Sequence, residues 1–217
     1  ENVYVWETDE AMLHEDEGAA VLRDLTLGPN MHATEPKEGK IELIADCDGL
    51  LTIDRTRLLA LNSLGEMMIA SRHGGFSVQK GGKLAGMRVI PLVIAKEKME
   101  EAKRVAACAP VFQIHPFTKK KAGLITTGNE VFYGRIEDTF SPVIEKKLGA
   151  FGAAVEMHVI LADDPAEITA VIKDMLNKEM DMVLCTGGMS VDPDDRTPAA
   201  IRNTGTRIVS YGAPVLP

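Results

Sequence analysis

The second half of the sequence alternates short apolar runs with amphipathic helical stretches, and this alternation limits the possible folds more than any other feature. It predicts strands at Ala122–Thr126, Ala154–Leu161, Asp181–Cys185 and Arg207–Ser210. The stretches between them are long enough for helical crossovers, since parallel neighbours need a connection of about a dozen residues or more. The pattern therefore predicts a three-layer α/β fold around a mostly parallel sheet.

Each predicted helix of this half begins with a capping residue followed by proline. The pairs are Ser141-Pro142, Asp164-Pro165 and Thr197-Pro198. A side-chain oxygen at the cap accepts from the first free amides, and proline at the next position removes an amide that would have no partner. The first of these helices opens either at Ser141 or one turn earlier, at Asp138.

The first half of the chain has a different sequence pattern, in which short β-rich runs alternate with helical stretches and Gly-rich turns. The β-rich runs are Val3–Trp6, Ile41–Ala45 and Arg88–Ala95, and the helices are expected near 54–64, 96–107 and, more weakly, 15–25. This predicts a smaller α+β, β-rich domain, to which we assign no chemistry. The lysines at 119–121 mark the joint, giving domains 1–118 and 119–217, which we expect to be truncated at their start and end respectively.

Composition and charge exclude several classes of protein. The net charge is −8 and neither half is rich in basic residues, so a nucleic-acid partner is not expected. The longest apolar run, Gly86–Ala95, is too short to cross a membrane and contains Pro91. The three cysteines, Cys47, Cys108 and Cys185, form no CxxC pair, which indicates reduced thiols. We expect a cytoplasmic protein without a membrane partner.

Two loops that combine threonine with glycine follow the first and third predicted strands. They read Thr-Thr-Gly-Asn-Glu at 126–130 and Thr-Gly-Gly-Met-Ser at 186–190. In parallel α/β sheets the strand ends and the helix N-termini share one edge, where free amides and positive dipole ends attract anions. One such loop alone is better explained as a tight turn, but two matched loops at one edge favour a phosphorylated ligand.

Carboxylates are concentrated at the same edge. Asp164 is accounted for as a helix cap, whereas Asp163 has no such role and is the better site candidate. Asp195 is equally well explained as an Asx-turn acceptor or as a site residue. Because phosphates and carboxylates repel, their joint presence implies Mg²⁺ between them, with Arg135 or Arg196 offsetting charge.

Three motifs resemble the molybdopterin-binding domain shared by molybdopterin adenylyltransferase, molybdopterin molybdotransferase and gephyrin. They are TTGNEV at 126–131, DD at 163–164 and TGGMSVDPDDRTP at 186–198. The resemblance covers about residues 121–217, including order and spacing. It implies a parallel α/β domain that binds the pterin and its terminal phosphate in a crevice at the sheet edge.

The resemblance also implies roles for individual residues. By motif position, Asp163 and Asp195 are the expected catalytic residues and the expected magnesium ligands. The expected contacts with the pterin ligand are Thr127, Gly128, Glu130, Thr186, Gly187, Gly188, Ser190, Asp192 and Thr197.

The motifs leave the activity open. The GGMSV portion is closer to the molybdotransferases and the PDDRTP portion to the adenylyltransferases. The leading interpretation is a transferase of molybdenum cofactor biosynthesis that uses ATP to adenylylate molybdopterin, or uses the adenylate to insert molybdate. The alternatives are a non-catalytic molybdopterin carrier or sensor, and a relative of the nucleotide pyrophosphatases. Since family members self-associate, a homo-oligomer, dimer or trimer, is expected.

Overall fold

The computed structural model describes residues 10–107, 109–189 and 196–212. The chain divides into two compact units, Glu1–Phe117 and Thr118–Pro217, so the N-terminal unit is the longer one and not the smaller. Their assignment as separate domains stays a prediction. Across the described ranges, none of the helices combines the length and the apolar character needed to cross a bilayer.

The N-terminal unit is α+β and β-rich, as predicted, and its paired strands are antiparallel. Its strands are β1 (Met12–His14), β2 (Met31–Ala33), β3 (Lys40–Ala45), β4 (Gly49–Ile53), β5 (Met67–Ser71), β6 (Phe76–Val78), β7 (Lys83–Val89), β8 (Val93–Ala95) and β9 (Phe112–Pro116). Its helices are α1 (Glu15–Thr26), α2 (Arg55–Ser63) and α3 (Lys96–Ala106). The strands form a four-stranded sheet in the order β2-β3-β7-β5, a three-stranded sheet in the order β6-β4-β9, and the pair β1-β8.

All three helices predicted for this unit are confirmed, and α2 is capped by Asp54, whose carboxylate accepts from the Arg57 amide at 3.0 Å. The predicted β run at 88–95 is divided between β7 and β8 by a turn that contains Pro91. Proline interrupts the run because it has no amide to donate to a strand ladder. The predicted run at Val3–Trp6 lies outside the described residues.

The C-terminal unit is an α/β fold, which confirms the predicted class. Its elements are β10 (Lys120–Thr127), α4 (Asn129–Phe132), α5 (Phe140–Gly149), β11 (Ala153–Leu161), α6 (Pro165–Asn177), β12 (Met182–Thr186) and α7 (Thr197–Asn203). The three strands lie in the order β11-β10-β12, and both pairs are parallel. The strand β10 is therefore central, and its C-terminal end lies between those of its neighbours.

Two adjacent threonines of β10 reveal the layers of this unit. Successive side chains of a strand point to opposite faces of the sheet. The Thr126 hydroxyl lies 3.0 Å from that of Ser141 in α5, whereas the Thr127 hydroxyl lies 3.0 Å from that of Thr197 in α7. Helix α6 packs with α7, and Ile168 and Ile172 of α6 share a buried cluster with Ile125 of β10, which faces the same way as Thr127. Helices thus cover both faces of the sheet.

Two helix starts in this unit differ from the simplest predictions. Helix α5 begins at Phe140 rather than Ser141, because the Asp138 carboxylate accepts from the amides of Phe140 and Ser141 at 3.0 and 3.1 Å. The helix start thus lies between the two predicted ones, with Thr139 as the N-cap, and Asp138 rather than Ser141 supplies the accepting side chain. The prediction that Thr197 caps α7 is wrong, since Arg196 is the N-cap and the Thr197 hydroxyl is directed to Thr127 instead.

The predicted strand at Arg207–Ser210 is also wrong. These residues have no regular secondary structure. The Ile208 and Val209 side chains are 43% and 88% exposed, so the apolar pattern that suggested a strand is not buried against the sheet.

Candidate functional site

The two threonine–glycine loops lie in direct contact at the C-terminal edge of the sheet, as the sequence predicts. Thr126 pairs with Thr186 in the parallel ladder between β10 and β12. The next residue of the second loop, Gly187, has a φ of 87°. A Cβ at Gly187 would lie 1.9 Å from the Thr127 carbonyl oxygen, which is far inside contact distance. Only glycine fits here, and the two loops are held together by their main chains.

Gly188 lies over a small polar cradle made by the Thr127 and Thr197 hydroxyls and the Asp163 carboxylate. Its φ is 54°, and a Cβ there would lie 2.7 Å from the Thr197 hydroxyl and 3.3 Å from Asp163 Oδ1. Both threonines are buried, and the Thr127 hydroxyl also donates to the Thr186 carbonyl at 3.4 Å. We call these four residues, Thr127, Asp163, Gly188 and Thr197, the Gly188 cradle.

The Asp163 carboxylate is satisfied on one side only. Its Oδ2 accepts from the Asn129 amide at 3.1 Å, and the Asn129 side-chain oxygen accepts from the Asp163 amide at 3.4 Å. Its Oδ1 is buried and has no hydrogen-bond partner among the described residues. A buried carboxylate oxygen without a partner is costly, so this atom is suited to a cation or a hydrogen-bond donor supplied by a ligand.

The unpartnered Asp163 oxygen is compatible with Mg²⁺. Mg²⁺ is commonly held by one or two carboxylates together with waters and substrate phosphates, rather than by a cage of protein ligands. Over residues 10–107, 109–189 and 196–212 no group of three or more His, Cys, Asp or Glu side chains is arranged to hold a metal. Asp163 is one such carboxylate, and Asp195, the other expected ligand, lies outside the described residues.

The two loops differ in whether their backbone amides have hydrogen-bond acceptors. In the first loop, Gly128 donates to the Leu161 carbonyl at 3.2 Å and Asn129 donates to Asp163, so both amides are occupied. In the second loop, the amides of Gly188 and Met189 donate to no acceptor in the described part of the chain. The first loop thus braces the end of β11, whereas the second loop has backbone amides without an acceptor among the described residues.

The other predicted site residues lie either in or just after the first loop or outside the described residues. Gly128 has a φ of 138°, and the Glu130 side chain is exposed while its carbonyl accepts from the Arg135 amide at 2.8 Å. The Arg135 guanidinium lies 5.8 Å from the centre of the Tyr133 ring. Three predicted residues lie outside the described residues: Ser190, Asp192 and Asp195.

On the other face of β10 lies a cluster that the sequence analysis missed, which we call the Thr126 network. It consists of Thr126, Asp138, Ser141 and His158. The Thr126 hydroxyl lies 3.0 Å from His158 Nε2 and 3.2 Å from Asp138 Oδ2, and Ser141 Oγ contacts both Asp138 and His158. The sequence signal was the Asp-x-x-Ser spacing of the helix start, but nothing indicated that His158 of the next strand would join it.

Asp138 is the acceptor at the centre of this network. Burial works to raise the pKa of Asp138, but hydrogen bonds from the Ser141 hydroxyl, from two backbone amides and from Thr126 outweigh it and lower the pKa below its usual value. Asp138 is therefore ionised near neutral pH, and its carboxylate is well supplied with donors. Near the cradle, burial raises the pKa of the Cys185 thiol to about 11, so this thiol stays protonated and unreactive.

Residues 123–216 match the family model described as a "probable molybdopterin binding domain". Among curated proteins, the chain is 34% identical over 77 residues to a CinA-like protein of Mycobacterium marinum, covering 36% of this chain and 18% of that protein. It is 33% identical over 85 residues to a putative competence-damage inducible protein of Bacillus velezensis, covering 39% of this chain and 20% of that protein. The chain thus spans about a fifth of the length of these relatives.

Two solved structures are also similar to part of this chain. The molybdopterin biosynthesis enzyme MoaB of Thermus thermophilus is 29% identical, with a TM-score of 0.38, over 39% of this chain and 54% of that chain. The protein CinA from Thermoplasma acidophilum, described as of unknown function, is 30% identical, with a TM-score of 0.37, over 39% of this chain and 51% of that chain.

Proposed function

Since residues 123–216 match the molybdopterin-binding domain family, we propose that this chain binds the phosphate of molybdopterin at the C-terminal edge of its parallel sheet and acts in molybdenum cofactor biosynthesis. The family match supports the pterin as ligand. The geometry of the edge supports a phosphate on the second loop, where the Gly188 and Met189 amides have no described acceptor. Backbone amides beside a positive-φ glycine are a recurrent way of binding phosphate oxygens.

The observation that carries the proposal is the combination of these amides with the unpartnered Oδ1 of Asp163 in the Gly188 cradle. Amides attract an anion and a bare carboxylate oxygen attracts a cation. A phosphate accompanied by Mg²⁺ satisfies both, which neither a neutral ligand nor a free phosphate does. We assign Asp163 and Asp195 to the ion and the second loop to the phosphate.

The chemistry we propose is transfer of AMP from ATP to the molybdopterin phosphate, or use of that adenylate for molybdate insertion. The chain's own residues position the reacting oxygens and hold charge, and no protein nucleophile is required. Mg²⁺, when bound, neutralises charge on the phosphates. The Asn129–Asp163 hydrogen bonds fix the carboxylate so that its free oxygen faces the cradle rather than solvent.

To test this, the protein is incubated with molybdopterin, Mg-ATP and then molybdate, and adenylate formation and consumption are followed by chromatography. We expect Asp163→Asn and Asp195→Ala to abolish turnover. Asp164→Asn is the matched control, because it changes the adjacent carboxylate but keeps a good helix cap on α6. Equal turnover in Asp163→Asn and Asp164→Asn would remove the proposed role of Asp163.

The same preparation distinguishes the two alternatives. Oxidation of the purified protein from a cofactor-competent host should release a fluorescent pterin. Pterin without turnover would identify a carrier or sensor. Binding of a pyridine nucleotide with no pterin would favour the relative of nucleotide pyrophosphatases and would reject the proposal.

A further inference from the structure

The outer face of the four-stranded sheet in the N-terminal unit contains a cavity of about 300 Å³, which we call the sheet-face pocket. It is formed by β3, β7 and β5, and it belongs to the unit to which the sequence assigned no chemistry. Its floor is made by Gly86, Ala70 and Met68, and charged side chains stand around it. The size is at the lower end of the range for small-molecule sites.

Strand register explains why the pocket exists. Gly86 of β7 is paired with Glu42 of β3 on one side and with Ala70 of β5 on the other, so two small residues lie side by side. In the next row on the same face, Arg88 lies between Lys40 and Met68, whose side chains are long. Gly86 and Ala70 leave a depression that Lys40 and Arg88 border, and the apolar side chain of Met68 completes its floor.

The glycine at 86 is not required by the backbone. Gly86 has no positive φ, and a Cβ there would meet only Lys40 Cε, at the ordinary contact distance of 3.7 Å. A residue with a Cβ would therefore fit this half-buried strand position, and most such residues favour a strand more than glycine does. Glycine inside a strand often marks a place where another group approaches closely, and the pocket is the space that Gly86 leaves.

The rim of the pocket carries more positive than negative charge. The cations are Lys40, Lys83 and Arg88, and the lining carboxylate is Glu42. Glu42 lies 2.5 Å from Lys40 Nζ and 2.7 Å from Lys83 Nζ, and these contacts lower the pKa of Glu42, so it is ionised. Arg88 Nη2 lies 4.0 Å from Glu15 Oε2. On a chain of net charge −8, this is a locally positive surface.

We propose that the sheet-face pocket is a second ligand site, which binds a small organic anion with an apolar body, such as an arylalkanoate. The apolar body lies on the floor of Gly86, Ala70 and Met68, and the anionic group meets the cations of the rim. An apolar floor with a few charged groups at one side is the usual composition of a small-molecule site. The proposal is independent of the phosphate site, because all its residues lie in the other unit.

The test uses the full chain and three probes of one shape, 4-phenylbutanoate, 4-phenylbutanol and 4-phenylbutylamine, with ¹⁵N-resolved NMR shifts as the readout. We expect the carboxylate to shift the amides of Gly86 and Ala70 and to bind about tenfold more tightly than the alcohol, the effect of one charge-assisted hydrogen bond. The amine should not bind. Equal affinity of the alcohol and the carboxylate, or shifts confined to other residues, would overturn the proposal.

Two variants locate the binding. Gly86→Val fills the floor and should abolish binding, whereas Lys83→Met should weaken it several-fold. Lys173→Met, which removes the same charge from α6, is the control and should leave affinity unchanged. If Gly86→Val is not folded by circular dichroism, Ala70→Val replaces it. Unchanged affinity in the floor variant would refute the small-molecule site. It would also be refuted if the NMR shifts of Gly86 without ligand depended on protein concentration, because a second copy of the chain would then cover this face.

Discussion

Thr126 and Thr127 are neighbours on one strand, yet their hydroxyls enter two very different environments. The Thr126 network is closed, since its hydroxyls, imidazole and carboxylate contact one another and the central carboxylate has several donors. The Gly188 cradle is incomplete, since one oxygen of Asp163 is buried without a described partner. The first arrangement stabilises the fold, whereas the second leaves a buried carboxylate oxygen unsatisfied at a cost in stability, as expected of the ligand site proposed above.

This contrast also shows why residue types alone do not identify a catalytic site. Thr126, Ser141, His158 and Asp138 include the serine, histidine and carboxylate of a hydrolytic triad, but a single imidazole nitrogen, Nε2, faces Thr126, Ser141 and the carboxylate together. Ser141 is also only 4% exposed. Ligand binding is therefore better sought at the face where a polar atom lacks a partner than at the face richer in catalytic residue types.

The contact between the loops gives the largest expected effect. Gly187→Ala should destabilise the C-terminal unit by about 3 kcal/mol or more, because the new Cβ meets the Thr127 carbonyl and the backbone there is left-handed. Urea unfolding measures this. Gly149→Ala, in open space within α5, is the control and should not destabilise. Similar midpoints for both variants would show that the loops can separate freely.

The cradle should govern affinity more than stability. Asp163→Asn is expected to weaken Mg²⁺-dependent binding of the pterin phosphate about 100-fold, while the ligand-free protein keeps or gains stability because a buried, half-paired charge is removed. Calorimetric titration and thermal unfolding measure the two quantities. Asp138→Asn serves as the opposite-face control and should bind normally. A stability loss in Asp163→Asn without an affinity loss would make the cradle structural.

In the Thr126 network we expect a substitution to change stability and to leave ligand affinity unchanged. Asp138→Asn is expected to cost about 2 kcal/mol at neutral pH, since a carboxylate with several donors is replaced by a neutral amide. The folded-state pKa of Asp138 lies below the unfolded value, so the stabilisation is present above the unfolded pKa and is lost as pH falls through the folded pKa. The stability difference between wild type and Asp138→Asn should therefore shrink below about pH 4. A difference that is constant with pH would contradict this.

The threonine pair in the cradle gives the smallest expected change. Thr197→Val removes one partner of a buried hydroxyl pair and should cost about 1 kcal/mol, whereas Thr197→Ser should cost less because the hydroxyl remains. In a double-mutant cycle with Thr127→Val, the two losses should be less than additive because both variants break one bond. Strict additivity would show that the two hydroxyls do not depend on each other.

Much of the architecture could be predicted because its signals are local. Apolar alternation located β10, β11 and β12, and the proline after Asp164 fixed the start of α6, where the Asp164 carboxylate accepts from two amides. The shared edge of the two loops followed from parallel topology. The strand expected at 207–210 was wrong because a four-residue run with two adjacent apolar residues does not reveal whether a neighbouring strand is present to bury them.

The candidate site was only partly predictable. Asp163 could be distinguished from Asp164 because Asp164 is explained as a helix cap and Asp163 is not. In the structure Asp164 accepts from the Ala166 amide, whereas one oxygen of Asp163 is buried without a described partner. The different use of amides in the two loops could not be foreseen, because it depends on Leu161 and Asp163 of the neighbouring strand end. His158 of the Thr126 network was missed for the same reason, since contacts across a sheet have no signature in sequence spacing.

The hydrogen bond between Thr127 and Thr197 joins residues 70 positions apart, and this separation has a consequence for how the protein is made. A growing chain can complete β10, α5 and β11 well before residue 197 leaves the ribosome, but it cannot close the cradle. Contacts between distant residues form late, because the entropy of closing the intervening chain must be offset first. The ability to hold the proposed ligand should therefore be acquired only once α7 has been synthesised, and a nascent chain that ends before α7 should fold much of its sheet and bind nothing.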